Sequence, residues 1–444
     1  MLYRIFKALF YLTTKAYFRS IYVQGKELLP DEKTPVIFVA NHPSSFMDPI
    51  LLAVQINRPI HFLARGDVFK NKFARYIFDA LHMIPIYKAD LSPGQIHKNE
   101  QVFEKCHDHL GKNKTILIFP EGSSKTERRL RPIKTGTARI AFGTEEKHDF
   151  NLGLTIVPIG LNYSDPHYFK NDVFVNFGEP IKVSDYKNAF IEDSRAAATQ
   201  LTERLKTELE KRIVIIEDEQ LEKLIKQIEL LYRSKLRDEN KLEEKGTQDF
   251  YLSQDIVKAV EFYAKNEPRI VTNFEQKITN YFNQLKDLKL GDMQIRSTSI
   301  SLNVLGRLLY FTLSFPIFIF GLVSNFIPFK LTGIITDNVK IRADFVGAVK
   351  IAVGLFVFTI CYAIEAFVFA KFTNAFWGVL FFLSLYPTGF FTIEYIKLYY
   401  KMNRNIKYLQ LFMRKSDVIS NLKTERNGLI NELEKRKAEF LEQQ

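Results

Sequence analysis

The chain has 444 residues, of which 46% are hydrophobic and 25% charged, with a formal net charge of +12 and two cysteines. Cys106 and Cys361 supply no disulfide framework and no metal-ligand spacing, which fits a reducing compartment. The positive excess favours anionic partners. Nucleic acid is not expected among them, because no recognition helix, zinc spacing or aromatic ribonucleoprotein signature is present.

Residues 1–20 do not form a secretory signal, since Arg4, Lys7, Lys15 and Arg19 interrupt the apolar residues and no small-residue cleavage site follows. At about 100° per residue these cations share one third of a helical wheel. A basic amphipathic helix lying on an anionic membrane is predicted. The alternative is an ordinary surface helix packed on the following domain.

From residue 21 to 190, buried strands alternate with helical segments. Pro35–Ala40 is a continuous, β-branched run and reads as a buried strand, and Ile60–Ala64, Met83–Tyr87, Thr115–Phe119, Thr155–Asn162 and Val173–Phe177 read as further strands. Phe69–Leu81 and Lys134–Phe142 carry helical spacing. This alternation predicts an α/β domain, a mostly parallel central sheet flanked by helices.

Residues 191–300 are rich in Glu, Lys, Leu, Ile and Gln, and predict a soluble helical segment with no chemical motif. Residues 301–400 hold three apolar runs, Leu308–Pro328, Ile351–Ala370 and Phe372–Ile393, as transmembrane helices. Lys330, Lys340, Arg342 and Lys350 follow the first run, and Lys397, Lys401, Arg404 and Lys407 the last. With both basic stretches cytoplasmic, the last two runs form a hairpin near Lys371 and Thr373. The first run then enters and leaves on one side, broken near Pro316; three full crossings are the rival. Residues 401–444 predict a charged helical tail. These features together predict an integral membrane protein with its N-terminal domain on the cytoplasmic face.

Chemistry concentrates at two strand ends, where α/β sheets place their sites. Asn41-His42-Pro43-Ser44-Ser45-Phe46-Met47-Asp48 leaves the first buried strand. His42 is a natural general base near neutral pH. Asp48 is placed to orient its ring and stabilise the imidazolium that forms. No Gly-x-Ser-x-Gly nucleophile motif accompanies the pair. That points to direct activation of an acceptor hydroxyl, unless His42 and Asp48 merely cap the helix. Phe119-Pro120-Glu121-Gly122-Ser123-Ser124 ends another strand, followed by Lys125, Arg128, Arg129, Arg131 and Lys134. Gly122 permits close backbone approach, and the cations suit a phosphate. His61 and His82 lack carboxylates at metal-site spacing, so no metal is expected.

These blocks resemble the glycerolipid acyltransferase family, which includes lysophosphatidic acid and glycerol-3-phosphate acyltransferases. Asn41, His42 and Asp48 look like its first block, Ile84-Pro85-Ile86-Tyr87-Lys88 its second, Phe119–Gly122 its third and Ile156-Val157-Pro158-Ile159-Gly160 its fourth. The resemblance implies that His42 deprotonates the acceptor hydroxyl, which attacks an acyl thioester, while Asp48 orients His42. Lys88, Lys125, Arg128 and Arg131 would hold the acceptor phosphate, and Glu121 and Gly122 would shape its pocket. It implies no cofactor beyond the acyl donor, acyl-CoA or acyl-carrier protein, and membrane phospholipid and lysophospholipid as partners. The expected reaction gives phosphatidate from 1-acyl-glycerol-3-phosphate. Glycerol-3-phosphate or dihydroxyacetone phosphate is the alternative acceptor, and a lipid-binding scaffold without catalysis is the alternative class.

Three departures stand out. Five residues, Pro43–Met47, separate His42 from Asp48 where the family usually has four, so the loop must bulge for the pair to meet. Lys88 and Ser124 stand where the family usually has arginine. With the Arg131–Gly136 sequel, these changes resemble the divergent branch that includes fungal glycerol-3-phosphate and dihydroxyacetone-phosphate acyltransferases.

Overall fold

The structure, a computed structural model, describes residues 2–66, 69, 72–87, 98–239, 245–296, 304–339 and 342–443. The chain forms two compact units. The first comprises Met1–Ile215 together with Val339–Ala352, and the second Ile216–Asn338 with Val353–Gln444. The first unit continues past residue 190. The helix beyond it buries Ala197, Leu201, Leu205 and Leu209 in the same core as the sheet residues Ile37 and Val39.

The first unit runs α1 (Leu2–Tyr17), β1 (Ser20–Gln24), β2 (Val36–Ala40), α2 (Met47–Gln55), β3 (Ile60–Arg65), α3 (Lys72–Ala80) and β4 (Met83–Ile86). It continues with α4 (Lys98–Gly111), β5 (Thr115–Ile118), α5 (Gly136–Glu146), β6 (Thr155–Tyr163), β7 (Asp172–Phe177), β8 (Ile181–Lys182), α6 (Lys187–Glu192) and α7 (Ser194–Glu210). The strands make one sheet in the order β1-β7-β6-β2-β5-β3-β4, with β8 beside β6. β6, β2, β5, β3 and β4 are mutually parallel; β7 meets β6 antiparallel, and β1 runs parallel with β7. This is the mostly parallel α/β sheet expected.

β2 is central and wholly buried, so its side chains alternate between two cores. Val36, Phe38 and Ala40 face Met47, Leu51 and Leu52 of α2, Tyr17 of α1, and Ala348 and Ile351 from the distant second segment of the unit. Ile37 and Val39 face α4, α5 and α7 through Cys106, Ala141 and Leu201. From β2 the chain crosses past β5 to β3; from β5 it crosses back past β2 to β6. The loops after β2 and β5 thus depart in opposite directions from adjacent strands, which opens a crevice at their carboxyl ends.

α1 departs from the expected basic face. Lys7 turns inward and donates to the carbonyl of Ile56 at 2.6 Å, a C-terminal carbonyl of α2 that attracts a cation. Arg19 is paired with Asp172. Thr13, Thr14 and Tyr17 are buried, while Ile5, Leu9 and Leu12, one stripe of the helix, are exposed. The helix is packed on the domain and turns an apolar stripe outward.

In the second unit the described helices are α8 (Glu222–Glu239), α9 (Lys245–Asn266), α10 (Pro268–Asp287), α11 (Asp292–Arg296), α12 (Val304–Asn338), α13 (Val346–Phe372), α14 (Ala375–Arg414) and α15 (Ser416–Glu442). The first residues of α13, through Ala352, belong to the first unit. Over Gly306–Asn338, Val346–Phe372 and Ala375–Arg414, three helices are long and apolar enough to cross a membrane. The expected hairpin turn between the last two is present: α14 starts after Asn374, whose side chain caps it by accepting from the amide of Trp377. The expected break near Pro316 is absent, and α12 continues through Pro316 and Pro328.

Candidate active site

The strand ends of β2 and β5 bring the two sequence blocks face to face. His42 leaves β2 with its amide donating to Glu121 Oε1 at 2.7 Å, and its carbonyl accepts from the amide of Lys125 at 3.2 Å. Thr126 Oγ1 donates to the carbonyl of Pro43 at 2.9 Å. The His42 ring stacks on Phe119, with centroids 4.0 Å apart and planes within 14°.

The imidazole and carboxylate meet. His42 Nδ1 lies 2.7 Å from Asp48 Oδ2, and the Asp48 side chain is fully buried. The extra residue between them is absorbed where the chain bends through Ser45, whose φ of 42° is left-handed. Asp48 is held from two more directions. The Ser44 amide donates to Oδ2 at 2.8 Å, and Tyr163 Oη donates to Oδ1 at 2.7 Å. Burial, with Asp48 alongside, pushes the Tyr163 phenol well above its ordinary pKa, so it stays a donor. With Nδ1 turned to Asp48, Nε2 of His42 is the nitrogen left to take a proton from a bound hydroxyl.

Asn41 joins the neighbouring strand through its side chain, accepting from the amide of Leu161 at 2.7 Å and donating to its carbonyl at 3.0 Å. It fixes the start of the His42 loop against β6. Neither Tyr163 nor Asn41's role stood out in the sequence. Tyr163 ends β6, and only the adjacency of β6 and β2 brings its hydroxyl to Asp48.

The expected phosphate ligands separate. Lys88 lies outside the described residues. Lys125 pairs with Glu127 at 2.7 Å. Arg128 is half-buried in the loop, as is Arg129. Arg131 is committed within the protein: its Nε donates to Glu121 Oε2 at 2.7 Å, its Nη1 to Ser123 Oγ at 2.7 Å, and its Nη2 to the Ser123 carbonyl. With a bond from each of its three nitrogens to Glu121 or Ser123, the guanidinium braces the loop. Burial raises the Glu121 carboxyl, opposed by Arg131 and the His42 amide. Glu121 thus ties the two strand-end loops together. Gly122 has a φ of 72°, and a side chain there would put its Cβ 3.4 Å from the Lys134 ammonium. Lys134 is exposed, so the cation beside the Gly122 backbone is Lys134.

Ser124 hydrogen-bonds through Oγ to Asp344, and Arg342 Nη2 donates to the Ser124 carbonyl at 2.6 Å. Both partners come from the distant segment that completes the unit. Among the described residues no group of three or more His, Cys, Asp or Glu side chains is arranged to hold a metal ion.

Comparison with known proteins agrees with these blocks. Residues 20–162 match the family model described as Acyltransferase. Glycerol-3-phosphate O-acyltransferase 1 of Saccharomyces cerevisiae is 28% identical over 275 residues, covering 57% of this chain and 35% of that protein. The chloroplastic 1-acyl-sn-glycerol-3-phosphate acyltransferase LPAT1 of Arabidopsis thaliana is 26% identical over 144 residues, 32% of this chain and 36% of that protein. The 1-acyl-sn-glycerol-3-phosphate acyltransferase of Bacillus subtilis is 26% identical over 202 residues, 44% of this chain and 90% of that protein. The chain spans about a third of the length of the first of these relatives. Over residues 20–162, therefore, this chain is similar to the acyltransferase family.

Proposed function

We propose that the protein transfers a fatty acyl group from a thioester donor, acyl-CoA or acyl-carrier protein, to a hydroxyl of a glycerol phosphate at a membrane. The observation that carries this reading is the His42–Asp48 contact of 2.7 Å beside a basic loop, with no nucleophile motif in the sequence. His42 Nε2 takes the proton of the acceptor hydroxyl as its oxygen bonds to the thioester carbonyl carbon. The carbon–sulfur bond then breaks, and the imidazolium returns the proton to the departing thiolate. Asp48, held by Tyr163 and the Ser44 amide, stabilises the imidazolium between these steps.

Two acceptors are carried by observations. Glycerol-3-phosphate is favoured, because the match to the yeast protein named for it covers 57% of this chain and so exceeds the acyltransferase segment. Lysophosphatidate, the acceptor expected from sequence, remains the second reading, supported by the plant and bacterial relatives named for it. Membrane integration with the catalytic unit toward the cytoplasm is supported by the three apolar helices and by Arg342 and Lys350, basic residues of that unit beside the apolar run of α13. The exposed stripe of Ile5, Leu9 and Leu12 supports contact of α1 with lipid.

The test is thiol release from acyl-CoA by the detergent-purified chain, with each acceptor in turn. Transfer by wild type that His42→Ala abolishes is the expected result. Absence of release with both acceptors, in wild type and His42→Ala alike, would leave the lipid-binding scaffold as the better account.

A further inference from the structure

The segment Val339–Ala352 links two apolar helices by sequence, yet it belongs to the catalytic unit. Packing seats it there. Ala348 and Ile351 are buried in the core on the α2 face of the sheet. Gly347 lies so close to Pro166 that a Cβ would stand 2.3 Å from its carbonyl oxygen. Phe345 meets Phe46 of the His42–Asp48 loop edge-on, with centroids 5.3 Å apart. The described part of the segment just before this apolar seat carries Arg342 and Asp344, both aimed at Ser124.

Asp344 is buried and orients Arg342. Its Oδ1 accepts from Arg342 Nε at 3.0 Å and its Oδ2 from Nη2 at 2.8 Å, while Ser124 Oγ donates to Oδ2. Nη2 also reaches the Ser124 carbonyl at 2.6 Å. The guanidinium is thereby fixed on one edge, whereas the side chain as a whole is 58% exposed. Nη1, on the other edge, makes no hydrogen bond among the described residues. A fixed guanidinium with a free edge is pre-organised for an oxyanion, because little rotamer freedom is left to lose on binding. Ser124 lies next to Lys125, whose amide bonds the His42 carbonyl, and two residues after Gly122, which Lys134 overhangs. Arg131, by contrast, is consumed within the loop.

We propose that Arg342 is a substrate-binding residue that takes the phosphate of the acceptor together with Lys134, and that Asp344 is its positioning residue. Arg342 reaches the strand-end loop from a segment more than 200 residues away in sequence. This inference rests on acyl transfer to a phosphate-bearing acceptor. The acyl-CoA donor also carries phosphates, so the test separates the two substrates.

The test uses the full-length chain in mixed phospholipid–detergent micelles, as wild type, Arg342→Ala and Arg342→Lys. Acceptor is varied at saturating acyl-CoA, and acyl-CoA at saturating acceptor. Loss of a charge-assisted contact predicts an acceptor KM raised about ten-fold or more in Arg342→Ala. The donor KM and kcat should stay within about two-fold, and Arg342→Lys, which keeps the charge, should fall between. A merely structural arginine would lower kcat and the thermal midpoint without this split. Such a result, or an unchanged acceptor KM, or a shift confined to the donor KM, would overturn the assignment while leaving acyl transfer intact. No transfer by wild type would overturn both.

Discussion

Asp48 accepts from the His42 ring, the Ser44 amide and Tyr163 Oη while fully buried, so its position is over-determined. Replacing one oxygen by an amide keeps the shape but reverses a hydrogen bond and the ring tautomer. Asp48→Asn should therefore lower turnover by a factor on the order of 10³ or more, with the thermal midpoint nearly unchanged; turnover within about three-fold of wild type would remove the carboxylate from the mechanism. Tyr163→Phe leaves one Asp48 oxygen without its donor in a buried site. It should cost about 1–3 kcal/mol of stability in a denaturant titration, with a smaller loss of turnover than Asp48→Asn. The histidine and carboxylate were legible in sequence because each sits in a short block with few competing explanations. Tyr163 was not, since a tyrosine at a strand end resembles packing until the order β6-β2 is known. The cations were legible only as a cluster, because side-chain pairing decides which remain available. Arg131 spends its fork on Glu121 and Ser123, whereas Lys134 and Arg342 present charge outward.

At the level of the element, the extra residue between His42 and Asp48 shows what a local count can and cannot give. The count required a bulge. The structure places it at Ser45, at φ 42°, just before α2. Glycine takes this conformation without Cβ strain, so Ser45→Gly should stabilise the protein by up to about 1 kcal/mol with activity retained. Ser45→Val, branched at Cβ, should destabilise it and weaken turnover together; the midpoints of thermal unfolding and the rates decide both. α1 teaches the converse. Its cations share a face of the wheel, but Lys7 serves the carboxyl end of α2, a partner that the helix's own sequence does not contain. The outward stripe is instead Ile5, Leu9 and Leu12. Leu9→Glu with Leu12→Glu should thus reduce binding of the full chain to anionic vesicles without altering turnover in detergent; unchanged vesicle binding would show that α1 is only a packing helix.

Across the whole molecule, β2, β5, β6 and β7 were legible because burial on both faces leaves continuous hydrophobic runs, and the apolar helices because of their length without charge. What periodicity could not show was that the first unit is discontinuous, since Asp344, Ala348 and Ile351 lie in a stretch that reads as a loop and the start of a span. The same holds for a column of rings in which Tyr3 stacks on His82 and His82 on His61, with His109 tilted against His61, at centroid distances of 4.5, 4.7 and 4.4 Å. Burial, reinforced by His109 and His82, lowers His61 from 6.5 to about 4. The unfolded chain takes this proton as pH falls through 6.5, and the folded chain only near 4. Stability is therefore complete above pH 6.5 and declines between 6.5 and 4, by about 3 kcal/mol at most for this group. Thermal midpoints across that range should fall with pH, and His61→Phe should flatten the decline; an equal decline in the variant would assign it elsewhere.

The seat occupied by Ala348 and Ile351 also has a temporal side. Roughly 120 residues of chain separate Ile215 from Val339, the two edges of the gap in this unit. At ribosomal speeds that interval lasts on the order of ten seconds, and for its duration the nascent sheet has part of one apolar face unclosed. A chaperone has that long to bind, and a ribosome that stalls within α12 leaves behind a domain with both strand-end loops made but its last wedge never delivered.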